Sequence, residues 1–210
     1  LNCQVDDTSF DSINIDNYRG AHAMVSHLID HGHRRIAIIT GTAGNLDAEE
    51  RLRGYRDAMH QAGFAAEEGL VVPGTFSEAS GFDAVSKILA LDPKPTAVFA
   101  SNDTMAIGAL SALREAGIRI PDDMALAGFD DIPVDLYLTP PLSSVQVGIH
   151  NLGVQAIETV LTAVREKNAH RKQQVHLATK LSLRESCGCT PGLRKADAVS
   201  PHIVGAHRPT

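Results

Sequence analysis

The stretch PTAVFASNDTMAIGAL, residues 95–110, contains a pattern that indicates the fold class. A short apolar run, residues 96–100, is followed at once by the polar triplet SND and then by helical spacing of apolar residues over 105–115. A buried strand that leads through a tight turn into an amphipathic helix is one half of a βαβ unit. Repetition of such units along a chain builds a parallel sheet covered by helices.

The same alternation continues on both sides of this stretch. Predicted strands lie at residues 13–15, 35–40, 70–72, 96–100, 124–128, 143–145 and 180–183, and predicted helices at 19–31, 49–62, 78–91, 105–115 and 152–165. Gly32, Gly63, Gly117 and Pro121 follow periodic runs, which is where helices tend to end. The pattern therefore predicts the α/β class.

Composition narrows the classes of protein that remain. With 210 residues, 43% of them hydrophobic, the chain is long enough to bury a core in one large or two small domains. Its net charge of −6 argues against direct wrapping of DNA by this chain, because non-specific affinity for a phosphate backbone needs clustered lysine and arginine. No apolar run has transmembrane length and no secretion signal opens the chain, so we expect a cytoplasmic protein with no membrane partner.

Cysteine usage points to the same compartment. The three cysteines, Cys3, Cys187 and Cys189, form an odd set without the spacing of a disulfide framework. Reduced thiols in a cytosolic protein are the expected state of such a set.

Several short signatures follow one another at the ends of the predicted strands. They are INIDNYRGA (13–21), HLIDHGHRRIAIITG (27–41), RLRGYRDAM (51–59), GTFSEASGF (74–82), PTAVFASNDTMAIGAL (95–110), GIRIPDDMALAGFDD (117–131), TPPLSSV (139–145) and LSLRESCG (181–188). In this order and spacing, over roughly nine-tenths of the chain, they resemble the LacI/GalR family of transcriptional regulators. The combination of SND, GFDD and PPLSSV is the most specific part of the resemblance.

The resemblance implies a periplasmic-binding-protein-like α/β fold of two Rossmann-like parallel-sheet lobes with an effector in the cleft between them. It implies that residues 1–40 and 145–167 belong to the N-terminal lobe, 45–131 and 175–188 to the C-terminal lobe, and 132–144 to an interlobe crossing. Three crossings are expected in all, near residues 41–45, 131–144 and 170–175. The first lobe is expected to be incomplete, with the family's helix-turn-helix head and hinge preceding Leu1, and residues 189–210, rich in Pro, Gly and His, are predicted to form a flexible tail.

The resemblance also implies a set of effector-binding residues. Arg51 matches the family's effector-clamping arginine, Asn102 the binding amide and Asp130 the binding carboxylate. Asp16 is expected to reach the cleft from the opposite lobe, and Phe76 to place an aromatic ring against the ligand. Forked donors and acceptors on a mostly apolar wall suit a sugar or a nucleoside. Asp47 and Gln146 are further lining candidates, and Val147 stands where the family usually has a glutamine.

Each of these residues also has a purely structural interpretation. Asn102 can cap the helix that follows it, one of the two carboxylates at 130 and 131 can cap a turn, Phe76 can be ordinary core, and Asp16 can simply pair with Arg19. For Arg51 the position near a predicted helix start favours function, since the helix dipole disfavours a cation there.

Other kinds of site receive less support. His27 and His31 are four residues apart on one helical face, as metal ligands can be, but no carboxylate or cysteine is expected to complete a site. Gly41 and Gly44 lack the order of a nucleotide-binding loop, and no G-x-S-x-G elbow is present. We therefore expect no enzyme activity, no cofactor and no metal.

The prediction is a sensor domain of a LacI-type regulator, in which closure of the lobes controls DNA binding by the helix-turn-helix head. A carbohydrate is the first choice of effector and a nucleobase the second, and the protein is expected to be a homodimer that contacts DNA only through that head. The alternative is a solute-binding protein of a sugar transporter or chemoreceptor, which shares the fold and the cleft.

Overall fold

Residues 10–166 and 173–189 are described by the computed structural model of the chain. The helices and strands are β1 (Ser12–Ile15), α1 (Asn17–Asp30), β2 (Ile36–Ile39), α2 (Leu46–Gln61), β3 (Val71–Val72), α3 (Glu78–Leu89), β4 (Ala97–Ala100), α4 (Asp103–Glu115), β5 (Ala125–Asp130), β6 (Ser143–Gln146), α5 (Ile149–Glu166), β7 (Gln174–Leu177) and β8 (Lys180–Ser182). The predicted tail, residues 189–210, lies outside the described residues apart from Cys189.

A six-stranded sheet forms the larger part of the structure. Its strands run in the order β3-β2-β4-β5-β6-β8, all parallel except β8, which is antiparallel to β6. Met24 of α1 and Tyr55 of α2 pack on one face, and Ile88 of α3 and Leu113 of α4 pack on the other. Because helices cover both faces, β2 and β4 are buried along their whole length and lack a polar alternation.

Each of the first four helices begins with a capping side chain. The side chains of Asp16, Asn45, Ser77 and Asn102 accept a backbone N–H from the first turn of α1, α2, α3 and α4, respectively. Such caps satisfy backbone groups that the helix itself leaves without a partner. They also mark the points where the chain turns from the edge of the sheet into a helix.

Glycine allows the two helix pairs to approach closely. A Cβ added at Gly54 of α2 would lie 2.4 Å from the Tyr18 carbonyl oxygen of α1, and one at Gly108 of α4 would lie 1.9 Å from the Glu78 carbonyl oxygen of α3. No side chain fits at either position without separating the helices. The pairs α1/α2 and α3/α4 are therefore closely packed on the two faces of the sheet.

A second, smaller sheet consists of β1 and β7, which are parallel and pair from Ser12 with Gln174 to Ile15 with Leu177. Helix α5 packs on β1. It exposes a row of apolar side chains that includes Ile157, 63% exposed, and Val164, 65% exposed. Strands β1 and β7 therefore leave this apolar face uncovered in the described part of the chain.

The lobe boundaries implied by the resemblance need correction. Residues 1–40 were assigned to the N-terminal lobe, but β2 lies inside the six-stranded sheet between β3 and β4, and α1 packs on that sheet. The segment 132–144, expected to be a crossing, forms a 3-10 turn at Pro133–Tyr137 and then enters β6 of the same sheet. Residues 145–146 therefore belong to the larger lobe, and 175–177 to the smaller one.

Three passages between the sheets do occur, but at other positions. The chain leaves the small sheet after Ile15, returns to it after Gln146, and leaves it again after Leu177. A run of apolar residues predicts a buried strand but carries no information about the strand beside it. Pairing is decided by backbone hydrogen bonds between segments that are far apart in sequence.

No helix within residues 10–166 and 173–189 combines the length and apolar character needed to cross a bilayer.

Candidate functional site

The candidate site lies at the carboxyl edge of the six-stranded sheet. Strands β2, β4, β5 and β6 are parallel, so their carboxyl ends lie at one edge. In open parallel sheets this is the edge at which ligands bind. The segments that follow these strands supply most of the predicted residues.

The Arg51 side chain lies at this edge, among most of the other predicted residues. It lies in the second turn of α2 rather than at the helix start and is only 5% exposed. Its Nε donates to Asn17 Oδ1 at 2.8 Å and its Nη1 donates to the Ser101 carbonyl. The guanidinium carbon lies 3.9 Å from the centre of the Phe129 ring. The guanidinium is thus held in one orientation before any ligand arrives.

Asp130, the last residue of β5, faces this guanidinium. Its Oδ1 lies 3.8 Å from Arg51 Nη2, close enough for an ion pair but too far for a hydrogen bond. Within the described residues the Asp130 carboxylate receives no side-chain hydrogen bond, and its side chain remains 34% exposed. Burial raises the pKa of Asp130 to about 6, and Arg51 opposes that rise.

The gap between these two groups has a chemical consequence. Arg51 Nη2 offers N–H donors and Asp130 offers carboxylate acceptors, side by side and held by the same strand ends. A ligand hydroxyl or ring nitrogen can donate to one group and accept from the other.

Asn102 has the structural function that the sequence also allowed. Its Oδ1 accepts from the Met105 N–H at 2.9 Å, which caps α4, and its Nδ2 donates to the Phe76 carbonyl at 3.2 Å. Most of the hydrogen-bonding capacity of the amide is therefore used within the protein. Asn102 therefore holds the loop around Phe76 in place, and little of its amide remains for a ligand.

Phe76 has an unusual backbone conformation. Its φ is +63°, a left-handed value that side chains other than glycine rarely adopt. The ring occupies the space over Gly41, where an added Cβ would lie 2.0 Å from Phe76 Cζ. The ring also packs partly against the core beneath α3 and α4. Phe76 is thus fixed at the ends of β2 and β4, on the edge that carries Arg51.

The remaining predicted residues are engaged in other contacts. Asp16 Oδ1 accepts from the Arg19 N–H at 3.0 Å, and Asp16 forms an ion pair with the Arg19 side chain at 3.6 Å, as the structural alternative stated. Asp47 accepts from Asn17 Nδ2 at 2.9 Å and so joins the Arg51 network. Gln146 donates to Asp131 Oδ2 at 2.9 Å, one residue away from Asp130.

Asn17 was missed by the sequence analysis. It is 4% exposed and bridges Arg51 and Asp47, one residue after the predicted Asp16. The motif INIDNYRGA contains both residues, and nothing local indicates which of the two reaches α2. The structure therefore brings Arg51, Asp130 and Asp47 together, places Asn102 and Phe76 next to them, and assigns the Asp16 carboxylate to a helix cap.

A pair of buried carboxyl groups lies beneath this edge and was also missed. Asp103 and Asp135 are both 0% exposed. Asp103 accepts from the Ser144 hydroxyl at 2.6 Å and from the Ile132 N–H at 3.1 Å, whereas neither Asp135 oxygen has a donor among the described residues. Burial raises the pKa of both carboxyls, and their side chains interact with each other. Because both carboxyls are buried and interact, ionisation of one opposes ionisation of the other.

The expectation that no cysteine completes a metal site near His27 needs correction. The last described segment returns to α1 and places Cys187 and Cys189 beside His27, with ligand atoms all within 4.8 Å of one another. Both cysteines are free thiols. Motif spacing could not predict this contact, because 160 residues separate His27 from Cys187.

Comparison with known proteins identifies the family. Residues 25–187 match the family described as periplasmic binding protein-like domain. The chain belongs to this family. It is similar to the HTH-type transcriptional repressor PurR of Pasteurella multocida, with 35% identity over 86% of this chain and 54% of the relative. It is also similar to the probable HTH-type transcriptional repressor ExuR of Bacillus subtilis, with 36% identity over 89% of this chain and 56% of the relative.

Among solved structures, the complex of the transcriptional regulator CelR with cellobiose superposes with a TM-score of 0.82 at 35% identity, over 87% of this chain and 55% of that one. The chain spans about half the length of the curated relatives it matches. The resemblance to LacI/GalR-type regulators is confirmed, and so is the predicted periplasmic-binding-protein-like α/β fold.

Proposed function

We propose that this chain is the effector-sensing part of a LacI-type transcriptional repressor and that a small neutral polar molecule binds at Arg51 and Asp130. The observation that carries the proposal is the buried, pre-oriented Arg51 guanidinium facing a partly exposed carboxylate at 3.8 Å. Such a donor–acceptor pair at the carboxyl edge of a parallel sheet suits a ligand rich in hydroxyls.

The charges around Arg51 favour a neutral ligand over an anion. Asp130, Asp47 and Asp103 all act on the Arg51 guanidinium. The neighbouring Asp130 and Asp47 carboxyls offset the charge of the guanidinium and disfavour a phosphate or a carboxylate. A carbohydrate is the first choice, which the cellobiose complex of CelR supports, and a nucleobase that stacks on Phe76 is the second.

The signal is proposed to pass through the contact between the two lobes. Asn17 directly follows the passage out of the small sheet and donates to Asp47 while accepting from Arg51. A ligand that binds Arg51 alters this hinge-side network and favours one angle between the lobes. The ligand acts only by its difference in affinity for the open and closed states.

The rest of the proposal follows the relatives. Both are named as HTH-type repressors, so DNA contact is assigned to a helix-turn-helix head, in a homodimer that works in the cytoplasm. The relatives' names support a regulator over the alternative of a transporter or chemoreceptor component, and over an enzyme.

The experiment is a thermal-shift screen of cellobiose, monosaccharides and nucleobases, followed by calorimetric titration of the best ligand. A ligand at 100 times its dissociation constant raises stability by about 2.7 kcal/mol, which the screen detects readily. Asp130→Asn keeps the shape of the side chain but removes its charge. Loss of a charged hydrogen bond of about 1.5 to 3 kcal/mol weakens binding by at least roughly tenfold.

The matched control is Asp122→Asn, because the Asp122 side chain is 66% exposed and pairs only with Arg119 in the described part of the chain. It is expected to bind the ligand as the unaltered protein does. Equal affinity of the Asp130 and Asp122 variants for a confirmed ligand would remove Asp130 from the site.

A further inference from the structure

Four side chains with metal-ligating atoms meet at the end of α1, away from the proposed effector site. His27 Nε2 lies 3.4 Å from Cys187 Sγ and 3.5 Å from Cys189 Sγ. His31 Nε2 lies 3.5 Å from Cys189 Sγ, and the two sulfurs are 3.3 Å apart. These are two imidazoles and two thiols from segments at opposite ends of the described chain.

Local geometry explains why these side chains face one another. His27 and His31 are four residues apart, so their rings stack along one face of α1 with centroids 4.2 Å apart. Between the cysteines, Gly188 has a φ of +90°, and this left-handed turn brings the second sulfur back beside the first. The C-x-C segment therefore points both sulfurs at the histidine face.

The spacing of His27, Cys187 and Cys189 matches three corners of a tetrahedral metal centre, and His31 lies beside them in contact with Cys189. Zinc bonds of about 2.3 Å to sulfur and about 2.0 to 2.1 Å to nitrogen imply a sulfur-to-nitrogen edge of about 3.6 Å. All three sulfur-to-nitrogen distances given above fall within about 0.2 Å of that value. The same bond lengths imply a sulfur-to-sulfur edge of about 3.8 Å, so the sulfur pair would open by about 0.5 Å when a metal binds.

Surrounding groups hold the ligands in the required state. His31 Nδ1 contacts the His27 carbonyl at 3.0 Å, so Nδ1 carries the proton and Nε2 presents its lone pair to the cysteines. Cys187 is buried, and the Ser143 hydroxyl lies 3.1 Å from its sulfur. Hydrogen bonds of this kind orient ligands in structural metal sites.

We propose that His27, Cys187 and Cys189 bind one zinc ion, that His31 turns in to become the fourth ligand, and that this ion fastens the segment after β8 to α1. A tetrahedral set of two sulfurs and two nitrogens is the preferred environment of Zn²⁺. As the two Zn–S bonds form, the two S–H bonds break and their protons pass to solvent. The ion is a structural clasp with all four positions taken by protein.

The first test is titration of the untagged full chain, stripped with chelator and kept reduced with a phosphine, with Co²⁺ alone. One equivalent of Co²⁺ per chain is expected to produce thiolate-to-cobalt charge-transfer absorption and the d–d bands of a tetrahedral centre, and Zn²⁺ is expected to displace it. Absence of charge-transfer absorption, or a sulfur pair already oxidised in a thiol count, would overturn the proposal.

Variants then locate the site. Cys189→Ser and His31→Gln alter the less buried side of the cluster, so folding is expected to survive, and each should weaken Zn²⁺ binding in a chelator competition by at least roughly tenfold. The controls are Cys3→Ser and His33→Gln, a third histidine nearby whose Nδ1 contacts Thr96 Oγ1 instead at 2.9 Å. Equal Zn²⁺ affinity in the ligand and control variants would refute the assignment.

A stability measurement separates a clasp from weak surface binding. Zn²⁺ at about 100 times its dissociation constant should raise the unfolding temperature of the unaltered chain but not that of Cys189→Ser. Destabilisation of the unaltered chain by Zn²⁺ would contradict a structural site. Neither readout depends on the effector, so failure of this proposal leaves the sensing proposal intact.

Discussion

Replacement of Asp135 by asparagine is expected to stabilise the protein, and the gain should grow with pH. In the folded protein Asp103 and Asp135 are fully buried together, and neither Asp135 oxygen has a donor among the described residues. We expect one proton to be held between the two carboxyls, because ionisation of both would place two negative charges side by side in the interior. In the Asp135→Asn variant the side-chain amide would donate to Asp103 permanently and make that proton unnecessary.

The direction in which stability changes with pH follows from the direction of the pKa shift. Burial raises the pKa of both carboxyls above the unfolded value of about 3.9. The stability that the shared proton contributes is therefore fully present below that value and is lost as pH rises through neutrality. For one proton the loss is about 1.36 kcal/mol per pH unit, or about 2.7 kcal/mol between about pH 5 and pH 7.

The assay is urea unfolding of the unaltered chain and of Asp135→Asn at several pH values across this range. The free energy of unfolding of the variant, minus that of the unaltered chain, should increase by about 2 to 3 kcal/mol from about pH 5 to pH 7. Because Asp103 contributes to the raised pKa of Asp130, which is about 6, both proteins are compared in an Asp130→Asn background, where that group does not titrate. Asp122→Asn, which removes an exposed carboxylate, is the control variant. A flat difference for Asp135→Asn would show that no proton is shared.

Three further predictions concern the packing around the candidate site. Gly41→Ala should cost about 1 to 3 kcal/mol of stability, because its methyl group would overlap the Phe76 ring. Most of that cost should vanish in a Phe76→Ala background. Additive costs in a double-mutant cycle would argue against the contact. Asp131→Ala should cost about 3 to 5 kcal/mol in urea unfolding, since it leaves Arg184, 15% exposed and bonded to Asp131 at 2.6 Å, without its counter-charge; a cost below about 1 kcal/mol would mean that solvent reaches this pair. Tyr55→Phe should lose about 1 to 3 kcal/mol by the same measurement, because a buried backbone carbonyl loses the hydroxyl that donates to it at 2.8 Å, and an unchanged midpoint would be inconsistent with that bond.

Short motifs predicted some residues of the candidate site correctly and could not distinguish others from helix caps. Arg51 and Asp130 were chosen from short motifs, and the structure places them 3.8 Å apart across two segments of the sheet edge. Asn102 and Asp16 were chosen in the same way, yet both cap helices. A polar residue just before a helix has the same local signature whether it caps the helix or faces a ligand, so sequence alone could not separate the two functions.

Sequence patterns were sufficient for the α/β class, the family, and the order of every helix and strand except β7 (Gln174–Leu177), which they did not predict. These properties depend on local periodicity and on short motifs, which are complete within about ten to twenty residues. The buried central strands were recognised because helices on both faces impose a continuous apolar run on them.

Three features became known from the folded structure alone: the sheet that each strand joins, the contact of Asn17 rather than Asp16 with Arg51, and the meeting of two cysteines with His27. Each of these depends on a contact between distant segments: 34 residues separate Asn17 from Arg51, and 160 separate His27 from Cys187. Such contacts are selected by the packing of the whole chain, because the same residue types at the same local spacing are compatible with several partners until the sheet has formed.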